Sequence, residues 1–441
     1  MNKFKLTLLA LLTALSNTVC AIELTDNSEL HGFVSQGLVY SPDNAYAGSD
    51  LNGVSLDFRE IGLNGAWDIS EQFRITGQVL SRKTGESDNG DLRVDFLLMD
   101  YLAHSTANSN FGVRLGRVKN AMGLYNSTRD IPIARPGLSV PSSIYFDSLR
   151  DSILSTDGLN LYGSYFAEFG TLNWEASAGT TSLKSTVLEN YLFGTTLKQG
   201  EFDKALLSSF KVDFLPNKVP GLLLGASFLK ARFDLQNTQT AQQAGEAAGA
   251  VAAGQVAAMG KDPSDPINAE LLANLTLQEI GQNYTDYLTK TELDALIAVL
   301  YAQYAYKDWI FSAEYMNIFS DVTSGVAGMV TKNSTTSEGF YLQSEWFFRD
   351  NMSALLRYEE LYIDSDDKDG SEKPLRPMNE YFAYGKGLTF GLSWDFQENW
   401  RLVGQVGLNQ GTVWLPYYDG IENTQLKRDW NTYMLQLSYQ F

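Results

Sequence analysis

An all-β fold, a transmembrane antiparallel β-barrel of 16 strands, is what the 441-residue sequence predicts, and three observations carry it. Apolar and polar residues alternate in one segment after another, most clearly at the chain's end, where Tyr433, Leu435, Leu437, Tyr439 and Phe441 interleave with Met434, Gln436, Ser438 and Gln440. Connections between these segments are alternately short and long, as tight turns at one end of a barrel and open loops at the other require. No run of 18 apolar residues follows residue 21, which excludes a spanning helix and leaves a membrane signal spread over many short strands.

Composition narrows the class further. The chain holds 37 Gly, 11 Pro, 24 Phe, 23 Tyr, 8 Trp and a single Cys, with a formal charge of −19 and no Pro-rich linker dividing it. Surplus acid argues against nucleic acid as a partner, and one Cys cannot form an internal disulfide. Residues 1–21 read as a cleaved signal peptide: Lys3 and Lys5, an apolar run from Leu6 to Leu15, and Val19-Cys20-Ala21 as the small-residue cleavage site. Asn17-Thr18-Val19 lacks the Leu and the small residue that precede a lipidated Cys, so Cys20 is not read as a lipid anchor. The exported chain, 22–441, loses Lys3 and Lys5 and falls from −19 to −21.

Strands are expected near 30–41, 54–69, 73–83, 92–105, 111–124, 159–168, 171–181 and 205–215 in the first half. In the second half they are expected near 222–235, 296–306, 309–319, 338–348, 352–363, 387–396, 400–413 and 431–441. Short connections fall at Ser70 to Gln72, Ala107 to Asn110, Phe169-Gly170, Pro216 to Gly221, Lys307-Asp308, Arg349 to Asn351 and Gln397 to Asn399. Aromatics flank several of them. Trp67 and Phe73 bracket one acidic turn and Phe396 and Trp400 another, with Tyr306, Trp309, Trp346 and Phe347 similarly placed. Rings of this kind suit a membrane–water girdle.

Two long loops break the polar rule. Residues 125–158 contain Pro132, Pro136 and Pro141 and an apolar set including Ile131, Ile133, Leu138, Val140, Ile144, Tyr145, Phe146, Leu149, Ile153 and Leu154. That much apolar surface is expected to fold into the barrel and narrow it. Residues 237–294 are Ala-rich and then Leu-rich, with Pro263 and Pro266 between, and read as two exposed helices in the fifth long loop. Gly245 and Gly249 there form a small-xxx-small spacing, read as close helix packing or chance.

Parity places Arg74 and Arg82 with Thr76 and Gln78, Arg93 with Asp95, and Arg114 with Gly116 on the lumen side. Arg117 and Lys119 join them if the parity changes again after Gly116. Later strands bring Glu314, Glu345, Glu359, Arg357 and Arg401 inward. Opposed charges across a narrow channel set up a transverse field that disfavours apolar solutes; the alternative is that any water-filled barrel needs polar inward residues. The apolar parity switches between Phe58 and Ile61, which suggests a bulge and leaves either Arg59 or Glu60 facing inward. Catalysis has little to work with: His31 and His104 stand beside no Ser or carboxylate at a telling spacing, and no Cys/His cluster or phosphate loop is present. No enzyme activity, cofactor or metal is expected, and solvated loop charge is the reading of Asp364 to Asp367.

The ensemble resembles the general diffusion porins of Gram-negative bacteria. Phe111-Gly112-Val113-Arg114-Leu115-Gly116-Arg117, leading to Tyr125 and the long loop, is similar to that family's Gly-Arg segment before its constricting third loop. The resemblance implies a water-filled channel for passive diffusion of small hydrophilic solutes and ions. It also implies pore-lining roles for Arg74, Arg93, Arg114, Arg117 and Lys119 against loop carboxylates Asp130, Asp147 and Asp151. Outer-membrane lipid and lipopolysaccharide, two further copies in a homotrimer, and the barrel insertion machinery reading Phe441 are the implied partners. Alternatives are a substrate-specific channel of 16 or 18 strands and a surface receptor or adhesin role for the 237–294 insert. The family's Arg in the second strand is replaced here by Glu60, and its basic residue after the third loop has no counterpart in Leu159 to Phe166.

Overall fold

In the computed structural model, the described residues are 22–48, 53–85, 88–145, 147, 150–181, 201–202, 205–236, 240–283, 287–326, 329–372, 380–415 and 426–441. The signal segment 1–21 lies outside them. Sixteen antiparallel strands form the wall: β1 Ser28–Tyr40, β2 Ser55–Asp68, β3 Phe73–Thr84, β4 Asn89–Ser105, β5 Ser109–Lys119, β6 Ser155–Ala167, β7 Gly170–Thr181 and β8 Ala205–Pro216. Then follow β9 Leu222–Gln236, β10 Leu288–Tyr306, β11 Trp309–Val326, β12 Met329–Arg349, β13 Met352–Tyr362, β14 Tyr384–Gln397, β15 Trp400–Gly411 and β16 Asp429–Gln440. Each pairs with its sequence neighbours, and β16 pairs with β1 from Tyr433↔Tyr40 to Gln440↔Phe33, so the sheet closes. Two short pieces, Ile22–Thr25 against β1 and Glu201–Phe202 against β9, complete it. Closure leaves no unpaired edge, the condition for a sheet to stand in lipid.

Alternation follows the wall. On β16, Tyr433 and Leu435 stand outward and exposed, while Met434, Gln436 and Ser438 are buried inside. Leu63, Leu224, Phe228, Leu300, Phe319, Leu342, Leu356, Phe390 and Leu408 continue the apolar exterior. Near the short turns the outside carries rings in pairs: Trp309 and Trp346 stack at 5.5 Å, Phe73 and Tyr101 at 4.6 Å, and Trp400 and Tyr439 lie 4.8 Å apart. An apolar band edged by aromatics is the surface that lipid and its headgroups select.

Three expectations change. β11 and β12 continue past the apolar band to Val326 and from Met329, so 320–337 is mostly hairpin rather than loop. β10 starts at Leu288, so the insert's helices end earlier: α1 is Ala241–Ala258 and α2 Ala269–Gln282. β2 has no bulge between Phe58 and Ile61, since its register against β1 runs unbroken from Ser28↔Trp67 to Gly37↔Phe58. Phe58 is inward and buried because loop residue Leu138 packs over it, with Val39, Val403 and Met434. Glu60 is therefore the inward residue of its pair, 1 % exposed, and Arg59 points out.

Candidate constriction site

β5 ends at Lys119, and the chain then leaves the wall until β6 begins at Ser155. Its apolar residues decide where it goes. Met122, Tyr125, Val140, Ile144, Tyr145 and Ile153 form one buried cluster with inward residues of β8 to β13, among them Leu207, Leu229, Ile297, Met316, Tyr341 and Leu361. On that side the lumen holds a buried apolar cluster between loop and wall, with Ser227, Ser312, Glu314 and Gln343 set among it. The sequence carries the sign of it: Leu296 to Leu300 is apolar at every position, as in a strand buried on both faces.

Polar groups then tie the segment to the wall around most of its circumference. At β2 and β3, Glu60 accepts from Arg82 Nε at 3.2 Å and is forked by Arg135 of the loop, and Gln436 Nε2 donates to it at 3.2 Å. Arg82 Nη2 also donates to Asp147 at 2.9 Å, and Arg129 Nη2 to the other Asp147 oxygen at 3.3 Å. At β4 and β5, Lys119 Nζ lies 2.9 Å from Asp95 and 3.2 Å from Asp130, whose carboxylate also accepts from Arg150 Nε at 2.9 Å. Across the lumen, Glu314 of β11 accepts from Tyr145 and Tyr341 hydroxyls at 2.8 Å each and from the Leu124 N–H at 2.9 Å. Glu359 accepts from the Ser143 N–H at 2.9 Å, Arg357 donates to the Ser139 carbonyl at 2.9 Å, and Gln405 accepts from the Leu138 N–H at 3.1 Å. Fixed at both sides, the segment is a strap held across the lumen.

Each charge of the strap whose side chain is described faces an opposite charge. Burial raises the Asp130 carboxyl, but Arg150 and Lys119 outweigh it and hold the group far below the carboxylate range. Asp147 behaves alike: desolvation deep in the barrel is overcome by Arg82 and Arg129, leaving it at about 2. Arg129 is pulled down to about 10 because burial exceeds the attraction of Asp147.

The expected pore-lining residues therefore separate. Lys119, Asp130 and Asp147 meet in the strap's ion pairs. Arg93 pairs with Asp88 at 2.7 Å beside them. Arg114 faces the lumen away from the strap, 3.0 Å from Asp100 and with its guanidinium 4.0 Å from the Tyr162 ring centroid. Arg74 sits exposed at the short-turn end with Asp68 at 3.1 Å, outside the constriction. Arg117 is a correction: it stands opposite outward Leu97 and Asp157, and pairs with Asp157 at 3.6 Å on the outer face. The register against β4 and β6 continues through Gly116, so Arg117 keeps the outward side; the chain turns inward only after it, at the strand's end, where Lys119 reaches Asp95 and Asp130. The side chain of Asp151 lies outside the described residues. Glu60, Arg82, Arg129, Arg135 and Arg150 belong to the strap's ion pairs beyond the residues that the resemblance implies; the three loop arginines amid apolar residues are the sign in the sequence, since a buried cation needs a carboxylate partner.

With this geometry in hand, comparison with known proteins is informative about fold. No family model matches the chain, and no curated protein matches it. Among solved structures, an outer-membrane protein of Vibrio cholerae, OmpT, is 11 % identical with TM-score 0.51, over 95 % of this chain and 99 % of that one. The fold is that of an outer-membrane porin. An anion-selective porin from Comamonas acidovorans matches at 11 % identity and TM-score 0.50, covering 94 % of this chain and 99 % of its own. The outer membrane channel DcaP of Acinetobacter baumannii matches at 10 % and 0.50, covering 96 % and 100 %. The porin barrel places this chain in the outer membrane, where its apolar exterior and aromatic edge are at home.

Proposed function

We propose that the chain is a passive outer-membrane channel for small hydrophilic solutes and ions, narrowed by residues 120–154. The observation that carries this reading is the strap itself: a barrel of 16 strands encloses a lumen, and one inward segment anchored on both sides controls what cross-section is left. The likeness to a porin and to an outer membrane channel supports it. The channel reading needs no catalytic step. Association into trimers is part of the proposal, because outward aromatic wall not facing lipid is then buried. Planar-bilayer recording tests the channel: the folded chain should give discrete ohmic steps, and excision of 131–150 should enlarge them. Unchanged steps in a folded deletion variant would remove the strap from the ion path.

A further inference from the structure

A cavity of ≈ 80 Å³ opens beside the strap, and its two sides differ in chemistry. One side is charged, with Arg135 and Arg150 already paired to Glu60 and Asp130, and with Arg82 and Arg129, 10 % and 3 % exposed, both aimed at the carboxylate of Asp147. The other is apolar, made by Phe58, Leu138 and Met434. Asp147 is the odd member, with 46 % of its side chain exposed although it closes two buried cations, one oxygen to each. Among the described residues Arg129 has no other carboxylate within ion-pair distance, and its Nη1 has no hydrogen-bond partner. Its Nη2 reaches the Tyr145 carbonyl at 3.4 Å besides Asp147, so Nη1 is the donor left for an incoming anion.

Resting on the channel reading above, we propose that this cavity binds a small monocarboxylate with a short apolar tail, whose carboxylate displaces Asp147 from between Arg82 and Arg129. Asp147 then acts as an internal stand-in for the solute's carboxylate. Exchange replaces one pair of charge-assisted hydrogen bonds by another of the same kind, so the net preference comes from the tail against Phe58, Leu138 and Met434. The size fits: one water takes about 30 Å³, so the space suits a few waters or an acid of about three carbons. An inorganic anion leaves the apolar side in contact with water.

Calorimetric titration of the folded full-length chain tests the site whether or not ions flow, with sodium propionate, propionamide and sodium nitrate as probes. Propionate should bind saturably and both others at least about tenfold more weakly. Asp147→Asn should tighten propionate by about tenfold, since it removes the competing charge, and Arg129→Gln should weaken it by a similar factor. The gain in Asp147→Asn cannot come from misfolding. Equal binding of nitrate, or an Asp147→Asn affinity no better than the native one, overturns the proposal. Bilayer conductance measured beside it reports separately on the channel: ohmic steps without propionate binding sink the site alone, and propionate binding without steps sinks the channel alone.

Discussion

Held between two guanidiniums at 1 % exposure, Glu60 has no access to water that would solvate it if either cation left. Glu60→Gln keeps the shape and removes the charge, so Arg82 and Arg135 stay buried with one carboxylate fewer. Removing one partner of a buried pair costs about 3–5 kcal/mol. The variant should lose its folded band on unheated gels at a lower urea concentration, and an unchanged midpoint would show that the pair is solvated. Asp147 gives a pH dependence of known sign. Its folded value, about 2, lies below its ordinary 3.8, so the latch to Arg82 and Arg129 is complete above about pH 4 and is lost as pH falls through 2. Conductance should change more over that window in the native chain than in Asp147→Asn, where other lumen carboxylates still titrate but no latch is lost; Asp130 is held lower still. Parity from sequence settled Arg114 and left Glu60 open, and it failed at Arg117. Alternation reports which face a residue takes only while the register is known, and the sequence around Gly116 does not tell whether the register shifts there.

Elements were most legible where lipid or turn chemistry constrained the sequence, and least where neither did. The outer half of the β11–β12 hairpin reads Thr331 to Ser337 with hardly an apolar residue, so no alternation announces it. Cross-strand polar pairs hold it instead: Ser334 donates to Asp321 at 2.6 Å and Lys332 pairs with the same carboxylate at 2.9 Å. The helical insert was legible through its propensities and caps. Thr240 and Gln243 close a capping box on α1, and Asp265 caps the short turn before α2. Of the two readings of the Gly245 and Gly249 spacing, chance is the one that the geometry favours. Ala244, Ala248, Ala252 and Val256, four residues apart, are fully buried, whereas Gly245, Gly249 and Gly254 have open space where a Cβ would stand. These glycines therefore bring only backbone freedom to a helix interior. Replacing any one by Ala should stabilise the hairpin by about 0.5–1 kcal/mol, with no steric cost. Limited proteolysis of whole cells should then slow at sites within the insert, and slow most in the triple variant. Faster cleavage would mean that the glycine face contacts something.

Closure is a property of the whole molecule, because 15 correct hairpins still leave two edges until β16 meets β1. The terminal residue takes part in that last step. Phe441 donates its N–H to the Gly32 carbonyl and accepts from the Gly32 N–H, both at 2.9 Å, and its ring lies where a Gly32 Cβ would be. Tyr439 follows on the same outer band, 6.3 Å from the Phe441 ring and 4.8 Å from Trp400. The sequence alone suggested Phe441 only as a signal to the insertion machinery; the seam adds a second role that no local pattern in the sequence reveals, since Gly32 lies some 400 residues away. The two roles make different predictions. A signal acts only in the cell, so deleting Phe441 would leave refolding of the purified chain in detergent unaffected. A seam residue acts everywhere. Loss of two backbone hydrogen bonds and the ring contact, each worth about 0.5–1.5 kcal/mol, should lower the folded, heat-modifiable fraction in detergent as well as in cells. Gly32→Val, which keeps the terminus intact and pushes the ring away, should reproduce the defect in detergent. Normal refolding of both variants would return Phe441 to the signalling role alone.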